Sequence, residues 1–92
     1  METLKRQKVS DLIDSFQLAE AECILLQEHQ QVPGDDEVCY LLGNINRKRS
    51  NWKEALQWYA HAIEMNAESP ALQAREMLVQ IMDFYDKDRY NV

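Results

Sequence analysis

Apolar residues recur at helical spacing along most of the chain, and little in the sequence would interrupt a helix. Between positions 36 and 49, Val38, Leu41, Leu42 and Ile45 follow the i, i+3, i+4, i+7 pattern of one helix face. The chain contains two glycines and two prolines, which are too few for the many turns of a small β-sheet domain. The pattern predicts an all-α protein of about five helices in a single domain.

Capping residues mark two of the predicted helix starts, but no helix-breaking residue marks the break near residues 15–17. Ser69 followed by Pro70 predicts the start of the last helix, because serine caps a helix N-terminus and proline suits its first turn. Asn51, with Glu54 three residues later, predicts a capping box. Residues 15–17 contain no glycine or proline, so one continuous helix through this segment is an alternative to two.

The charge and composition of the chain argue against two classes of binding partner, nucleic acids and membranes. The net charge of −6 repels phosphate backbones, so we expect no nucleic-acid partner. No apolar run is long enough to span a bilayer, so we expect no membrane partner. The charged N-terminus lacks the apolar stretch of a signal peptide, which makes a cytoplasmic location the expectation.

The sequence contains no pattern typical of a catalytic or metal site. Gly-rich phosphate loops, His-Glu-x-x-His and Gly-x-Ser-x-Gly are absent, so we predict that the protein is not an enzyme. The spacing of Cys23, His29, Cys39 and His61 matches no familiar set of metal ligands, and we predict no metal and no cofactor. Both cysteines lie in helix-forming segments, where we expect reduced, mostly buried thiols.

A 34-residue offset relates the first part of the chain to the second. Glu20-Ala21 and Glu54-Ala55 lie 34 positions apart, although few other identities accompany them. Internal periods of this length are typical of helical repeat proteins. In such proteins a helix pair stacks on its neighbours because it cannot bury its apolar face alone.

Residues 36–69 carry the clearest family resemblance. They resemble the tetratricopeptide repeat, whose pattern is Trp-x2-Leu-Gly-x2-Tyr, then Ala-x3-Phe, then Pro. The matching residues are Leu42, Gly43, Ala55 and Tyr59, with Ala62 in the small-residue position that follows. The departures are Cys39, Asn46 and Ala67, which stand where the family has tryptophan, tyrosine and proline.

This resemblance implies a short right-handed α-solenoid of antiparallel helix pairs. Its units would be a divergent first repeat at 1–35, a second repeat at 36–69, and a capping helix with a tail at 70–92. The residues assigned to packing between helices are Ala21, Leu25, Leu42, Gly43, Trp52, Ala55, Tyr59 and Ala62. A glycine inside a helix costs about 1 kcal/mol relative to alanine, so Gly43 needs a packing reason. We expect Gly43→Leu to destabilise severely and Gly43→Ala to be mild or neutral.

The resemblance also implies a non-catalytic interaction module that binds a protein or peptide segment in a concave groove. The residues at the groove positions are Tyr40, Asn44, Arg47, Lys48 and, on the last helix, Arg75. An aromatic ring, an amide and cations suit an acidic segment or a C-terminal carboxylate. The alternative is an ordinary solvated face, whose basic residues at 47–49 only complement the helix dipole. A receptor for chaperone tails is disfavoured, because Ser10 and Leu41 stand where that clamp has asparagines.

Self-association is the second functional hypothesis, either as a homodimer through the C-terminal helix or as a scaffold fragment of a larger assembly. The last helix has a predicted buried stripe made of Ala74, Met77, Leu78, Ile81 and Tyr85. It also carries Val79, Met82 and Phe84 on other faces. A terminal helix needs only one buried face, so the additional apolar residues indicate that a second surface is covered. The first repeat or the tail at 89–92 would be the intramolecular alternative.

Overall fold

Five α-helices make up the part of the chain that the structure describes. The computed structural model describes residues 1–90, and their side chains through residue 84. The helices are α1 (Thr3–Asp14), α2 (Leu18–Gln31), α3 (Asp36–Lys48), α4 (Trp52–Met65) and α5 (Ala71–Tyr90), and the described residues contain no strand. Each helix packs against the next one along the chain, and α3 also touches α5. The prediction of an all-α protein with about five helices is confirmed.

Two helix ends share one backbone geometry and lie 34 positions apart, at Phe16 and Ser50. These residues have φ values of 61° and 63°, in the left-handed region that non-glycine residues seldom adopt. At the first end, the Gln17 N–H donates to the Leu12 carbonyl at 2.8 Å and the Phe16 N–H to Ile13 at 3.0 Å. The equivalent bonds close the second end, from Asn51 to Asn46 at 2.8 Å and from Ser50 to Arg47 at 3.0 Å. Both ends are Schellman motifs, so α1 and α3 end in the same way, 34 positions apart.

The residues 15–17 therefore separate two helices, and the alternative of one continuous helix is wrong. A left-handed residue reverses the chain direction without a glycine. The side chain of Phe16 is exposed, and its ring lies under the Lys48 ammonium, with Nζ 4.8 Å from the ring centroid. This cation–π contact links the end of α1 to the end of α3.

The predicted capping residues are correct at one helix and wrong at another. The Ala71 N–H donates to the Ser69 hydroxyl at 3.1 Å, which confirms Ser69 as the cap of α5. Asn51 makes no side-chain capping bond. Its backbone N–H, which a capping box would direct to Glu54, is already donated to Asn46 in the Schellman motif. The capping box is therefore excluded by the way α3 ends.

Asp35 caps α3 and also binds the N-terminal ammonium. One carboxylate oxygen accepts from the Glu37 N–H at 3.0 Å, and the other from the Met1 ammonium at 2.7 Å. Burial raises the pKa of Asp35, but the ammonium and the backbone N–H groups of Glu37 and Val38 outweigh it and hold that pKa below its ordinary value. The hydrogen bond to Asp35 correspondingly raises the pKa of the N-terminal ammonium.

The core consists of two clusters of buried side chains. The first joins α1, α2 and α3 through Val9, Ile13, Ala21, Leu25, Val38, Leu41, Leu42 and Ile45. The second joins α3, α4 and α5 through Cys39, Ala55, Tyr59, Ala62, Ala71 and Leu78. All the residues assigned to helix packing from the sequence are buried, except Trp52, which is half-buried.

Gly43 lies directly against the ring of Tyr59. A Cβ atom at Gly43 would be 2.5 Å from Cδ1 of Tyr59 and 3.1 Å from Cζ, and closer still to Cε1. Tyr59 is fully buried, so its ring can move only by displacing the side chains packed around it. Because even a methyl group would overlap the ring, the structure predicts that Gly43→Ala is destabilising and not mild or neutral.

The two cysteines differ in exposure. Cys39 is buried, as expected, whereas Cys23 is exposed on α2, so the expectation of two mostly buried thiols holds for only one of them. Burial raises the pKa of the Cys39 thiol, and the negative charges of Asp35 and Asp36 add to this effect. The Cys39 side chain is therefore a neutral part of the core at physiological pH.

The structure buries only part of the stripe predicted for α5. Leu78 is buried and Ala74 half-buried, but Met77 and Ile81 are exposed; the Tyr85 side chain lies outside the described residues. Met82, predicted to lie on another face, packs against the second cluster. No helix in the described part of the chain has the length and apolarity needed to cross a membrane.

Candidate binding groove

The odd-numbered helices share one face of the molecule, and this face contains two adjoining cavities. A cavity of about 240 Å³ lies between α3 and α5, and one of about 270 Å³ lies between α1 and α3. Tyr40 and Pro70 line both cavities. The two cavities therefore form one groove that crosses α1, α3 and α5, and we call it the α1–α3–α5 groove.

Tyr40 lies at the centre of this groove. Its ring is half-buried and packs against both core clusters, with its centroid 6.2 Å from that of Tyr59 and the two planes tilted by 36°. An aromatic ring held at its base by the core presents a rigid face to the groove. Tyr40 was predicted as a groove residue, and the structure places it there.

Asn44 and Arg47 line the cavity between α3 and α5 and are connected through Tyr59. The Tyr59 hydroxyl donates to the Asn44 side-chain oxygen at 2.6 Å. Burial raises the pKa of Tyr59, and the hydrogen bond and positive charge of Arg47 offset this only in part. Tyr59 therefore remains a protonated donor. Because its oxygen is occupied, the Asn44 side chain has amide N–H groups to offer a ligand.

Arg47 has no ionic partner among the side chains of residues 1–84, whereas Lys5, Arg6 and Arg49 are each paired with a glutamate. Lys5 pairs with Glu28 at 2.8 Å and Arg49 with Glu22 at 2.9 Å. Arg47 is exposed, and its described polar neighbour is the neutral hydroxyl of Tyr59. Its guanidinium is thus available to a carboxylate.

The cavity between α1 and α3 has a different charge. Arg6 pairs with Glu37 there, so its cation is already neutralised, and Asp36 adds a negative charge. Leu41 and Ser10 complete the lining. The groove is therefore basic at the Arg47 end and neutral to acidic at the Arg6 end.

Two of the five predicted groove residues do not line either cavity. Lys48 lies one residue beyond Arg47 and contacts the ring of Phe16 instead. Arg75 is exposed on α5, outside both cavities. Sequence reasoning missed the apolar wall that Met77 and Ile81 form on α5. The excess of apolar residues on α5 was the signal that could have identified this wall.

Other reactive side chains do not converge within the described part of the chain. No three His, Cys, Asp or Glu side chains there lie close enough to hold a metal ion. The His29 ring meets the edge of Trp58 with 5.3 Å between centroids, and His61 lies on the same indole at 6.1 Å. These contacts place both histidines in an aromatic cluster on α2 and α4, away from the groove.

Comparison with known proteins identifies one relative by sequence and fold. No protein-family model matches the sequence, and no curated protein matches it closely. Among solved structures, the chain is similar to protein BF1650 of Bacteroides fragilis, determined by solution NMR. The identity is 43%, the match covers 99% of this chain and 91% of that one, and the TM-score is 0.84. The chain belongs to the same protein family as BF1650 of Bacteroides fragilis.

Proposed function

We propose that the protein is a non-catalytic interaction module that holds an extended protein segment in the α1–α3–α5 groove. The observation that carries the proposal is the groove itself, which runs across three helices and has Tyr40 at its centre. The groove is divided into two cavities, of about 240 and 270 Å³, that lie side by side. Cavities of this size suit the separate side chains of a peptide.

We further propose that the fold is a short tetratricopeptide-type array. The motif residues Leu42, Gly43 and Tyr59 support this, because Gly43 allows α3 and α4 to approach over the ring of Tyr59. The identical ends of α1 and α3, 34 positions apart, support a repeat of that length. Helical arrays of this kind present a concave surface built from equivalent helices, and in the proposed array α1 and α3, which line the groove, would be such equivalents.

Selection from a displayed library of random 12-residue peptides tests this function. Peptides that bind the purified protein should lose at least about tenfold in affinity when Gln73→Trp fills the groove, which is about 1.4 kcal/mol. Gln57→Trp is the matched control, because Gln57 is also an exposed glutamine but lies on α4, outside the groove. Selected peptides that bind both variants as they bind the wild type would place the binding surface elsewhere.

Self-association is the second candidate function, and the exposure of α5 favours it. Leu72 and Val79, two turns apart on one face of α5, are 38% and 44% exposed. Light scattering at several protein concentrations measures the oligomeric state. A dimer that Leu72→Glu with Val79→Glu converts to a folded monomer would establish this function, and a monomer at high concentration would exclude it.

A further inference from the structure

We propose that the ligand of the groove carries an apolar side chain next to a single acidic one, an inference that rests on the proposed binding function. The apolar side chain would enter the cavity between α3 and α5, and the acidic one would pair with Arg47. The partner is thus a protein segment with a short apolar–acidic motif.

The apolar half of the motif follows from the wall of the cavity. Met77 is 60% exposed and Ile81 42% exposed, while Leu78 forms a buried floor beside them. Apolar side chains that line a concave surface favour the binding of another apolar group, because that group displaces water from the surface. Methionine adapts its shape to the group that enters.

The acidic half follows from charge complementarity. In a chain of net charge −6, Arg47 faces the same cavity with no carboxylate partner among the described side chains. A guanidinium binds a carboxylate through two parallel hydrogen bonds, and the Asn44 amide can donate to the same group. The acidic residue of the ligand should therefore touch α3 while the apolar one touches α5.

The motif should be short, with one acidic residue. Arg47 and the apolar wall line one cavity of about 240 Å³, so the two ligand residues should be adjacent or separated by one residue. At the other end of the groove, Glu37 already neutralises Arg6, and Asp36 is negative. A second acidic residue in the ligand at that end would meet repulsion.

Peptide selection with a charge-swapped groove tests the proposal. Random 12-residue peptides would be selected on the wild type, on Arg47→Glu and on Lys53→Glu, whose lysine is exposed on α4 outside the groove. We expect wild type and Lys53→Glu to select an apolar residue beside Asp or Glu. We expect Arg47→Glu to select Lys or Arg at the acidic position, which a merely structural role of Arg47 would not produce.

A double-mutant cycle then measures the contact directly. In a synthetic copy of the best selected peptide, replacing the acidic residue by its amide should weaken binding to the wild type about fivefold or more. It should not weaken binding to Arg47→Gln. Equal losses on both proteins would overturn the pairing, and circular dichroism would verify that each variant is folded.

The outcomes separate this inference from the proposed function. Peptides that bind in the groove, as judged by Gln73→Trp, but lack the apolar–acidic motif would overturn the inference and leave the function standing. Peptides indifferent to Gln73→Trp would overturn the function itself. A dimer that dissociates in Arg47→Glu would show that a second copy of the chain occupies the groove, and would also overturn the inference.

Discussion

The packing of Gly43 against Tyr59 makes a strong prediction about a substitution that is ordinarily stabilising. In the middle of a helix, replacing glycine by alanine gains about 1 kcal/mol of helix propensity. At Gly43 the new methyl group would lie 2.5 Å from Cδ1 of Tyr59, well inside the 3.4 Å at which ordinary contact begins. We therefore expect Gly43→Ala to destabilise the protein.

The size of the expected destabilisation follows from the displacement of the Tyr59 ring. The ring has to move by about 1 Å within a close-packed core, and overpacking of this kind costs roughly 1–3 kcal/mol. The movement also strains the hydrogen bond from the Tyr59 hydroxyl to Asn44, which is 2.6 Å long. A bond of this type contributes about 1 kcal/mol. After the gain in helix propensity, the net loss should be about 1–3 kcal/mol.

Urea unfolding followed by circular dichroism measures this loss. Gly34→Ala is the matched control, because no atom lies within 4 Å of the position of its Cβ and the residue is exposed between α2 and α3. The control should change the free energy of unfolding by less than about 0.5 kcal/mol. Gly43→Ala as stable as the wild type, or more stable, would refute the argument.

A double-mutant cycle identifies Tyr59 as the cause. Tyr59→Leu removes the ring atoms that the new methyl group would meet, at a stability cost of its own. In that background, Gly43→Ala should lose most of its destabilising effect, which gives a coupling free energy of about 1 kcal/mol or more. Additive effects of the two substitutions would show that the methyl group clashes with something else.

Two further predictions concern helix ends. Ser50→Gly should raise the free energy of unfolding by about 1 kcal/mol, because glycine adopts the left-handed conformation at φ 63° without strain. The control Ser15→Gly, at φ −89°, should instead destabilise the protein. A stabilising Ser15→Gly with a destabilising Ser50→Gly would contradict the Schellman assignment. Asp35→Ala should cost about 1 kcal/mol at pH 7 through loss of the cap. Asp14→Ala should cause no loss of stability and should slightly raise it, because a carboxylate at the last residue of α1 opposes the helix dipole. Because the folded-state pKa of Asp35 lies below its unfolded value, its contribution is complete above about pH 4 and lost as the pH falls through the folded pKa. Chemical unfolding at several pH values measures this; a difference between wild type and Asp35→Ala that does not shrink in acid would exclude the ion pair.

The helix boundaries that sequence could predict are those made by local chemistry. Ser69 and Pro70 mark a helix start by their own side chains, and Ser69 accepts the expected hydrogen bond. The break at Phe16 has no such signal. Its left-handed backbone is imposed by the return of α2 onto α1, and the residue found there is not one that prefers this conformation. A break made by tertiary packing leaves little trace in composition.

The groove was predictable on one helix and not between helices. Tyr40, Asn44 and Arg47 share a face of α3 because their spacing follows the helix period, and sequence identifies such a face. Which residues of α5 turn towards that face depends on how α5 packs on α4. The stripe from Ala74 to Ile81 is continuous in sequence, yet packing divides it into a buried edge at Leu78 and an exposed edge at Met77 and Ile81. Periodicity shows where a stripe lies, but it does not show how much of it the neighbouring helix covers.

The charge distribution also bears on what kind of acidic segment the proposed groove would accept. The chain has a net charge of −6, which repels a long acidic tract approaching the surface. At physiological ionic strength this repulsion is screened beyond about 8 Å, whereas a carboxylate in contact with Arg47 is within that distance. Any further carboxylate towards the other end of the groove meets Asp36 and the Arg6–Glu37 pair, where the described lining residues include no unpaired cation. The groove of this acidic protein therefore favours a ligand with a single carboxylate, placed at Arg47. The apolar wall of Met77 and Ile81 beside Arg47 then favours an apolar residue next to that acidic one in the ligand.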